Sequence, residues 1–159
     1  MVDSAILKTT AYLEELAKER SHAHFPGLIL QGLQVIYVGK GIVRCKLVVT
    51  HRVLTEDRTF HTGAIATLME LMGATAVYSA GGSHVSVDLN YSLYSTAKFQ
   101  VRIEARVVGK KGDLNSVVIE IRRECDEELI ATGRLWMRIL MTPFSINVKH
   151  NGFDQVSKL

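Results

Sequence analysis

The sequence has few cysteines and few prolines, and its positive and negative charges nearly balance. Two prolines and twelve glycines in 159 residues exclude a collagen-like or proline-rich chain. A formal net charge of +3 is too small to indicate a nucleic-acid-binding protein, although it suits an anionic small ligand. Hydrophobic residues make up 47% and charged residues 22%, as is typical of a folded globular chain. We therefore expect residues 1–159 to form a single domain with a buried core.

The two cysteines, Cys45 and Cys125, lie 80 positions apart and belong to no Cys-x-x-Cys pair. This spacing predicts neither a zinc site nor a disulfide framework, and we expect both thiols to be reduced and buried. No cluster of metal-ligand side chains stands out elsewhere, because His22 and His24 occur only as a pair on the N-terminal segment. No metal site and no cofactor are therefore predicted.

The two ends of the sequence carry different signals. Residues 3–20 predict an amphipathic helix, and the acidic residues within it argue against a secretory signal. The last three residues, Ser157, Lys158 and Leu159, form the tripeptide that a peroxisomal import receptor reads at a free carboxyl terminus. The polar tail of residues 143–159 should keep this tripeptide accessible. We expect a peroxisomal location; the alternative is a chance ending on a cytoplasmic protein.

Alternation of apolar and polar residues with a period of two predicts an antiparallel sheet of about six strands. Short turns between the strands, such as residues 39–41 and 109–113, require antiparallel neighbours. Pro26 and Gly27 are expected to break the chain before the first strand. The strands are predicted at residues 28–38, 42–50, 85–91, 99–107, 117–122 and 129–140.

Residues 62–83 predict one long helix that ends at Gly81 and Gly82. Its length would suit a membrane span, but Glu70 near its middle and the lack of a second such segment favour a buried central helix. The pattern as a whole predicts an α+β fold in which the sheet is covered by this helix and the N-terminal helix is an addition.

Glu70 is the only formally charged residue between His61 and His84. Burying a carboxylate is costly unless it is paired, hydrogen-bonded or protonated, so Glu70 is a candidate for acid–base chemistry. The alternative is that it lies on an exposed stripe of the helix or pairs with a distant cation. The start of the helix, at His61, Thr62 and Gly63, offers free amides and a positive dipole to a polarised carbonyl, or it is a plain helix cap.

Glu70 follows His61 by nine residues, which corresponds to ~13 Å along one helix. One substrate carbonyl cannot reach both ends of that distance. If the two groups cooperate, Glu70 must meet the helix start of a second copy, and a shared site therefore predicts a homodimer with two equivalent sites.

Three segments together resemble the hotdog-fold acyl-CoA thioesterases of the phenylacetate and thioesterase superfamily member 2 types. They are residues 60–70 (Phe-His-Thr-Gly-Ala-Ile-Ala-Thr-Leu-Met-Glu), 85–90 (Val-Ser-Val-Asp-Leu-Asn) and 131–134 (Ala-Thr-Gly-Arg). The resemblance covers about residues 28–140. It implies an antiparallel sheet wrapped around one long central helix, and dimers that often pair into tetramers.

The resemblance also implies roles for individual residues in the hydrolysis of an acyl-CoA to a free acid and coenzyme A. Glu70 falls on the general base or nucleophile, which acts across the dimer interface. His61 and the Thr62 amide fall on the carbonyl-binding helix start, and Thr55 falls on a position that orients water or substrate. The implied substrate-binding residues include four cations for the phosphates of coenzyme A; the set is Gly63, Ser86, Lys98, Lys110, Lys111 and Arg134.

The sequence also departs from this family pattern at several positions. Thr62 replaces a glycine, Thr55 replaces an asparagine or glutamine, and Ala74 replaces a serine or threonine. These departures favour an alternative from another functional class, a non-catalytic acyl-CoA-binding hotdog protein.

Overall fold

The computed structural model describes residues 3–18 and 25–140. Within these ranges six antiparallel strands form one sheet, in the order β1-β2-β4-β5-β6-β3. The strands are β1 (Gln34–Gly39), β2 (Ile42–Val48), β3 (His84–Leu93), β4 (Gln100–Lys111), β5 (Leu114–Arg123) and β6 (Leu129–Ile139). The helices are α1 (Ser4–Lys18), α2 (Phe25–Leu30) and α3 (Thr62–Ser79), with a 3-10 turn at His51–Val53. The predicted α+β arrangement is confirmed.

Helix α3 packs against the sheet and contributes ten buried residues to the core. Two glycines allow the helix and the sheet to approach closely. A side chain at Gly133 of β6 would come within 2.9 Å of Met69 Sδ, and one at Gly73 of α3 would come within 2.6 Å of Leu135 Cδ2. Apolar residues occur on every side of α3, and Leu71, Ala74 and Tyr78 stay partly exposed in the single chain.

The opposite face of the sheet is polar and carries ion pairs between neighbouring strands. On β4 the apolar residues Val101, Ile103 and Ala105 are fully buried, whereas the alternate residues face solvent as the pattern predicts. Glu104 accepts from Arg44 of β2 at 2.6 Å and from Arg106 at 2.8 Å. These exposed pairs contribute little stability individually, but they identify the sheet face that points away from α3.

Several predicted boundaries were wrong, including the start of β1, at Gln34 rather than residue 28, and the start of β5, at Leu114 rather than residue 117. Residues 28–30 are helical rather than extended, because Pro26 is the second residue of α2 and proline is compatible with a first helical turn. Strand β4 continues to Lys111, so the predicted five-residue turn at 109–113 shrinks to Gly112 and Asp113, with Gly112 at φ 62°. Helix α3 ends at Ser79 rather than at residue 83, and Gly81 and Gly82, the predicted helix stop, follow it with positive φ. The predicted helix end at 19–20 and the tail 143–159 lie outside the described residues.

The two cysteines occupy different environments, which corrects the prediction that both are buried. Cys45 is buried on β2 and Cys125 is exposed in the β5–β6 turn. Burial raises the pKa of the Cys45 thiol to about 12. None of the helices in the described ranges is long and apolar enough to cross a membrane.

We predict that only one thiol reacts with an aromatic disulfide reagent in the folded protein at pH 8. Cys125 should react, whereas Cys45 is inaccessible and protonated at that pH. Counting released chromophore before and after unfolding in denaturant checks this, with Cys125→Ser as the control. Rapid reaction of folded Cys125→Ser would contradict it.

Candidate functional site

The hydrogen bonds of the N-cap residue, His61, fix the start of α3. His61 is the N-cap residue, and its Nδ1 accepts from the Gly63 amide at 3.0 Å. The His61 carbonyl accepts from the Ile65 amide at 3.0 Å, and the His61 amide donates to the Val53 carbonyl at 2.9 Å. Thr62 is the first helical residue, so its amide has no acceptor within the helix. The helix start therefore offers the exposed Thr62 amide, whereas the Gly63 amide is already used by the histidine.

Glu70 lies half-buried in the middle of α3, and Ser86 of β3 donates a hydrogen bond to its Oε1 at 2.7 Å. The structure thus brings together two of the predicted site residues. The contact depends on an irregularity in β3, where the pairing with β6 shifts register between Ser86 and Asp88.

The extra residue at this β-bulge decides which way Ser86 faces. Ser86 pairs with Met137 and Leu89 pairs with Leu135, and both partners are buried on the α3 side of β6. Strict alternation would place Ser86 and Leu89 on opposite faces, but the inserted Val87 lets both face α3. The sequence pattern did not reveal this bulge, because Val85, Val87, Leu89 and Tyr91 alternate without interruption.

The Thr55 side chain forms hydrogen bonds within its own loop rather than facing the candidate site. Its hydroxyl bonds with the Asp57 carboxylate and with Thr59, whose backbone oxygen also accepts from the Thr55 amide at 2.8 Å. These bonds close the loop between Leu54 and Phe60, which pair with each other. The Thr55 and Thr59 hydroxyls hold the pKa of the Asp57 carboxyl below its ordinary value. Asp57 and Thr59 were not predicted to bond with Thr55, although Thr-x-Asp-x-Thr is a spacing at which short polar side chains close turns.

The four predicted phosphate-binding cations are not gathered at one place. Lys98 lies in the β3–β4 connection, next to the Ala97 carbonyl that accepts from the Phe60 amide at 2.9 Å beside the start of α3. Lys110 and Lys111 lie at the other end of β4, about 40 Å away along the strand path. Arg134 pairs with Asn90 and Val118 on the exposed face of the sheet, opposite α3. Of the four cations, only Lys98 lies near the helix start of its own chain.

His84, the first residue of β3, lies near Lys110. Burial lowers the pKa of His84, and the positive charge of Lys110 lowers it further.

Partly exposed apolar side chains lie on the helix and on the edge strand that carry Glu70 and Ser86. On α3, Ala74 and Tyr78 follow Glu70 by four and eight residues and share its face. On the edge strand β3, Val85 and Val87 are 44% and 55% exposed, and Val85 faces away from α3 because it pairs with Arg138. Exposed apolar side chains on a free sheet edge are typical of a protein–protein contact.

Neither of two surface clefts of ≈370 and ≈360 Å³ contains the candidate site. The first lies between the start of α1 and the end of α3, and the second lies on the charged face of the sheet. Within residues 3–18 and 25–140, no group of three histidine, cysteine, aspartate or glutamate side chains is arranged to hold a metal ion.

Comparison with solved structures shows the fold. The zebrafish thioesterase superfamily member 2 superposes with a TM-score of 0.74 at 23% identity, covering 85% of this chain and 97% of that one. The E. coli PaaI protein of the phenylacetic acid degradation operon gives 0.72 at 16% identity, covering 88% and 96%. A hypothetical thioesterase from Streptococcus pneumoniae, solved with coenzyme A, gives 0.67 at 15% identity, covering 69% and 87%. No family model and no curated protein sequence matches.

We predict that Thr55→Val raises the pKa of Asp57 toward its ordinary value of 3.8, because the substitution removes the hydrogen bond that lowers this pKa most. The pKa of Asp57 is lowered in the folded chain, so this interaction stabilises the loop above the unfolded-state pKa and is lost as the pH falls through the folded value. Carboxyl NMR titration measures the shift. Thr67→Val is the matched control, because the Thr67 hydroxyl donates to the Gly63 carbonyl instead. An unchanged Asp57 titration would show that Thr55 does not hold the carboxylate.

Proposed function

We propose that this chain, which has the hotdog fold of thioesterases, hydrolyses the thioester of a fatty or aromatic acyl-CoA to a free acid and coenzyme A. The observation that carries the proposal is Glu70, a half-buried carboxylate on a helix with no other charged residue, which accepts a hydrogen bond from Ser86 of the edge strand β3. A hydrogen-bonded carboxylate in such a position is suited to activating water or attacking a thioester carbonyl.

The helix start supplies the second half of the chemistry. The Thr62 amide and the positive end of the α3 dipole would stabilise the negative charge that develops on the carbonyl oxygen. His61 fixes this helix start through its bond to Gly63. In the reaction, water attacks the carbonyl carbon while Glu70 accepts its proton, the C–S bond breaks, and the proton passes to the departing coenzyme A thiolate. In the covalent alternative, Glu70 attacks the carbonyl carbon, the C–S bond breaks and the coenzyme A thiolate leaves with a proton from solvent; water then hydrolyses the mixed anhydride to the free acid and restores Glu70.

These two halves must come from different copies of the chain. Glu70 lies ~13 Å from the start of its own helix, and a two-fold axis would bring it to the helix start of the partner. Exposed apolar side chains of α3 and of the β3 edge, such as Tyr78 and Val87, would be covered in the same contact. We therefore propose a homodimer, or a homotetramer built from such dimers, with two equivalent sites in each dimer.

The alternative is a non-catalytic protein that binds acyl-CoA. One observation favours it: the Thr55 hydroxyl is occupied by Asp57 and Thr59, which leaves no polar side chain from that position to place a water. Saturable acyl-CoA binding without release of free thiol would support this alternative, whereas thiol release above the uncatalysed rate would exclude it.

We predict that Glu70→Gln lowers thiol release from acyl-CoA substrates by at least about 100-fold, because the shape is kept but the base is lost. A panel of short, long and aromatic acyl-CoAs with a thiol reagent measures this. Glu120→Gln is the matched control, since Glu120 lies on the far face of the sheet and pairs with Arg122. Retained activity in Glu70→Gln would mean that another residue is the base.

A second substitution tests whether the site is shared between two chains. Thr62→Pro removes the free backbone amide of Thr62. Proline is well tolerated at the first position of a helix, and the preceding residue, His61 at ψ 130°, has a conformation compatible with a following proline. It should also lower activity by about 100-fold or more. Random mixing of Thr62→Pro and Glu70→Gln chains should restore about a quarter of wild-type activity, because one quarter of the sites then combine two intact halves. Absence of recovery, with mixed assembly verified by mass, would place both groups in one chain.

We also propose that Ser157, Lys158 and Leu159, which lie outside the described residues, direct the protein to peroxisomes through their import receptor. A fluorescent protein fused to residue 1 should give punctate fluorescence that coincides with a peroxisomal marker. The same fusion without Leu159 should be diffuse. Diffuse fluorescence of the intact fusion would favour the cytoplasmic alternative.

A further inference from the structure

The cleft of ≈370 Å³ lies where the start of α1 meets the end of α3, away from the proposed chemistry of its own chain. Tyr78 of α3 and residues 81–83, which follow the helix, line one side of it. The other side is lined by four residues at the start of the α1 segment, namely Asp3, Ser4, Ala5 and Lys8. At ~30 Å³ per water molecule the cleft has room for about a dozen waters, or for the tip of a small loop.

The shared site proposed above determines what lies opposite this cleft in a dimer. When Glu70 of one chain meets Thr62 of its partner, the two-fold axis requires the reverse contact as well. Two such contacts, ~12 Å apart along each helix, hold the two α3 helices side by side and antiparallel. Tyr78 lies eight residues beyond Glu70, so it reaches ~12 Å past the start of the partner's helix. It therefore faces the segment that precedes α3 in the partner.

The segment that precedes α3 is the 54–60 loop, whose tip, residues 56–58, is exposed. Hydrogen bonds across the base of the loop fix its shape. The Thr55 amide donates to the Thr59 carbonyl at 2.8 Å, and the Arg58 amide donates to the Thr55 carbonyl at 3.0 Å. Because these bonds are made within the single chain, docking of the loop on a partner costs little conformational entropy.

The charges of the loop tip complement those of the cleft. The tip carries two acidic residues, Glu56 and Asp57, and one basic residue, Arg58. The cleft offers Lys8 and the positive end of the α1 dipole to the acidic residues, and it offers Asp3 to Arg58. In the described part of the chain, Lys8, Glu56 and Arg58 belong to no ion pair. These three charges are therefore available for a contact between copies.

We propose that the cleft between α1 and α3 is the docking site for the 54–60 loop of a second copy of this chain. The inference rests on the proposed function, because the shared site sets how the two copies lie. The loop directly precedes His61, so α1 of one chain supports the carbonyl-binding helix start of the other. The N-terminal helix, an addition to the sheet and its central helix, is thereby part of the contact between copies.

A pair of introduced cysteines tests this contact directly. In a Cys125→Ser background, which removes the exposed native thiol, Ser4→Cys places a thiol at the cleft and Glu56→Cys places one at the loop tip. Within one chain these positions lie near opposite ends of α3, whose 18 residues span ~27 Å, which is too far for a disulfide. Between two docked chains they should form disulfides, and mild oxidation should convert most of the protein to a covalent dimer on a non-reducing gel.

Matched variants control for chance collisions between thiols. Each single variant should remain a monomer on the gel. So should Glu15→Cys/Glu56→Cys, because Glu15 is exposed on α1 but lies ~16 Å from Ser4. Equal cross-linking in these controls would overturn the proposal. A Ser4→Cys/Glu56→Cys protein that stays unlinked while it sediments as a dimer would also overturn it, and a monomer in sedimentation would overturn the shared site together with it.

Exchange of charges gives a second test that introduces no thiol. Lys8→Glu and Glu56→Lys should each raise the dimer Kd about fivefold, because like charges then meet across the contact. The double variant should return the Kd to within about twofold of wild type. Lys18→Glu with Glu56→Lys is the matched control and should give no recovery, since Lys18 lies in the last turn of α1. Sedimentation velocity over a range of concentrations measures the Kd, and a double variant no tighter than its control would contradict the docking.

Neither test uses a substrate, so the docking site and the catalytic proposal can fail separately. If the cross-link forms and no acyl thioester is hydrolysed, the catalytic proposal fails and the docking site stands. If mixed Thr62→Pro and Glu70→Gln chains recover activity but the cysteine pair stays unlinked, the shared site stands and only the docking of the loop is wrong.

Discussion

A carboxylate in the middle of an apolar helix is the constraint on which the rest of this structure depends. Glu70 is half-buried, and its neighbours along α3, Leu68, Met69 and Met72, are buried. A carboxylate partly removed from water is stabilised by a hydrogen-bond donor. The donor is Ser86, which belongs to the edge strand rather than to the centre of the sheet. The carboxylate is therefore held at the margin of the core, where one of its oxygens is satisfied by the edge strand of its own chain.

Much of the fold could be predicted from the sequence, because most of it follows from local periodicity. Alternation along residues 99–107 identified both faces of β4, and the outward residues Arg102, Glu104 and Arg106 do form ion pairs. The long helix and its glycine stop follow from composition in the same way. The prediction for residues 28–30 was wrong because Pro26 does not end the local structure: the first turn of α2 accommodates it.

The candidate site was harder to predict because its geometry depends on contacts between distant segments. The positions of Glu70 and His61 could be chosen from sequence, since each is unusual for its surroundings. The bond between Glu70 and Ser86 could not, because it depends on a bulge that leaves the apolar pattern of β3 intact. The cations show the same limit: Lys98, Lys110 and Arg134 look alike in sequence, but the strand order places them at different ends and faces. Thr55, chosen by analogy, proved to be committed to its own loop.

The bulge in β3 also shows what the Glu70–Ser86 contact does and does not require. Ser86 and Leu89 are three positions apart, and both face α3 because Val87 is an extra residue between them. Without Val87 they would be two positions apart, and unbroken alternation would again place both on the α3 side. The bulge is therefore a consequence of the present spacing. A chain shortened by this one residue could keep the serine beside the carboxylate and the leucine in the core, with a regular ladder between β3 and β6.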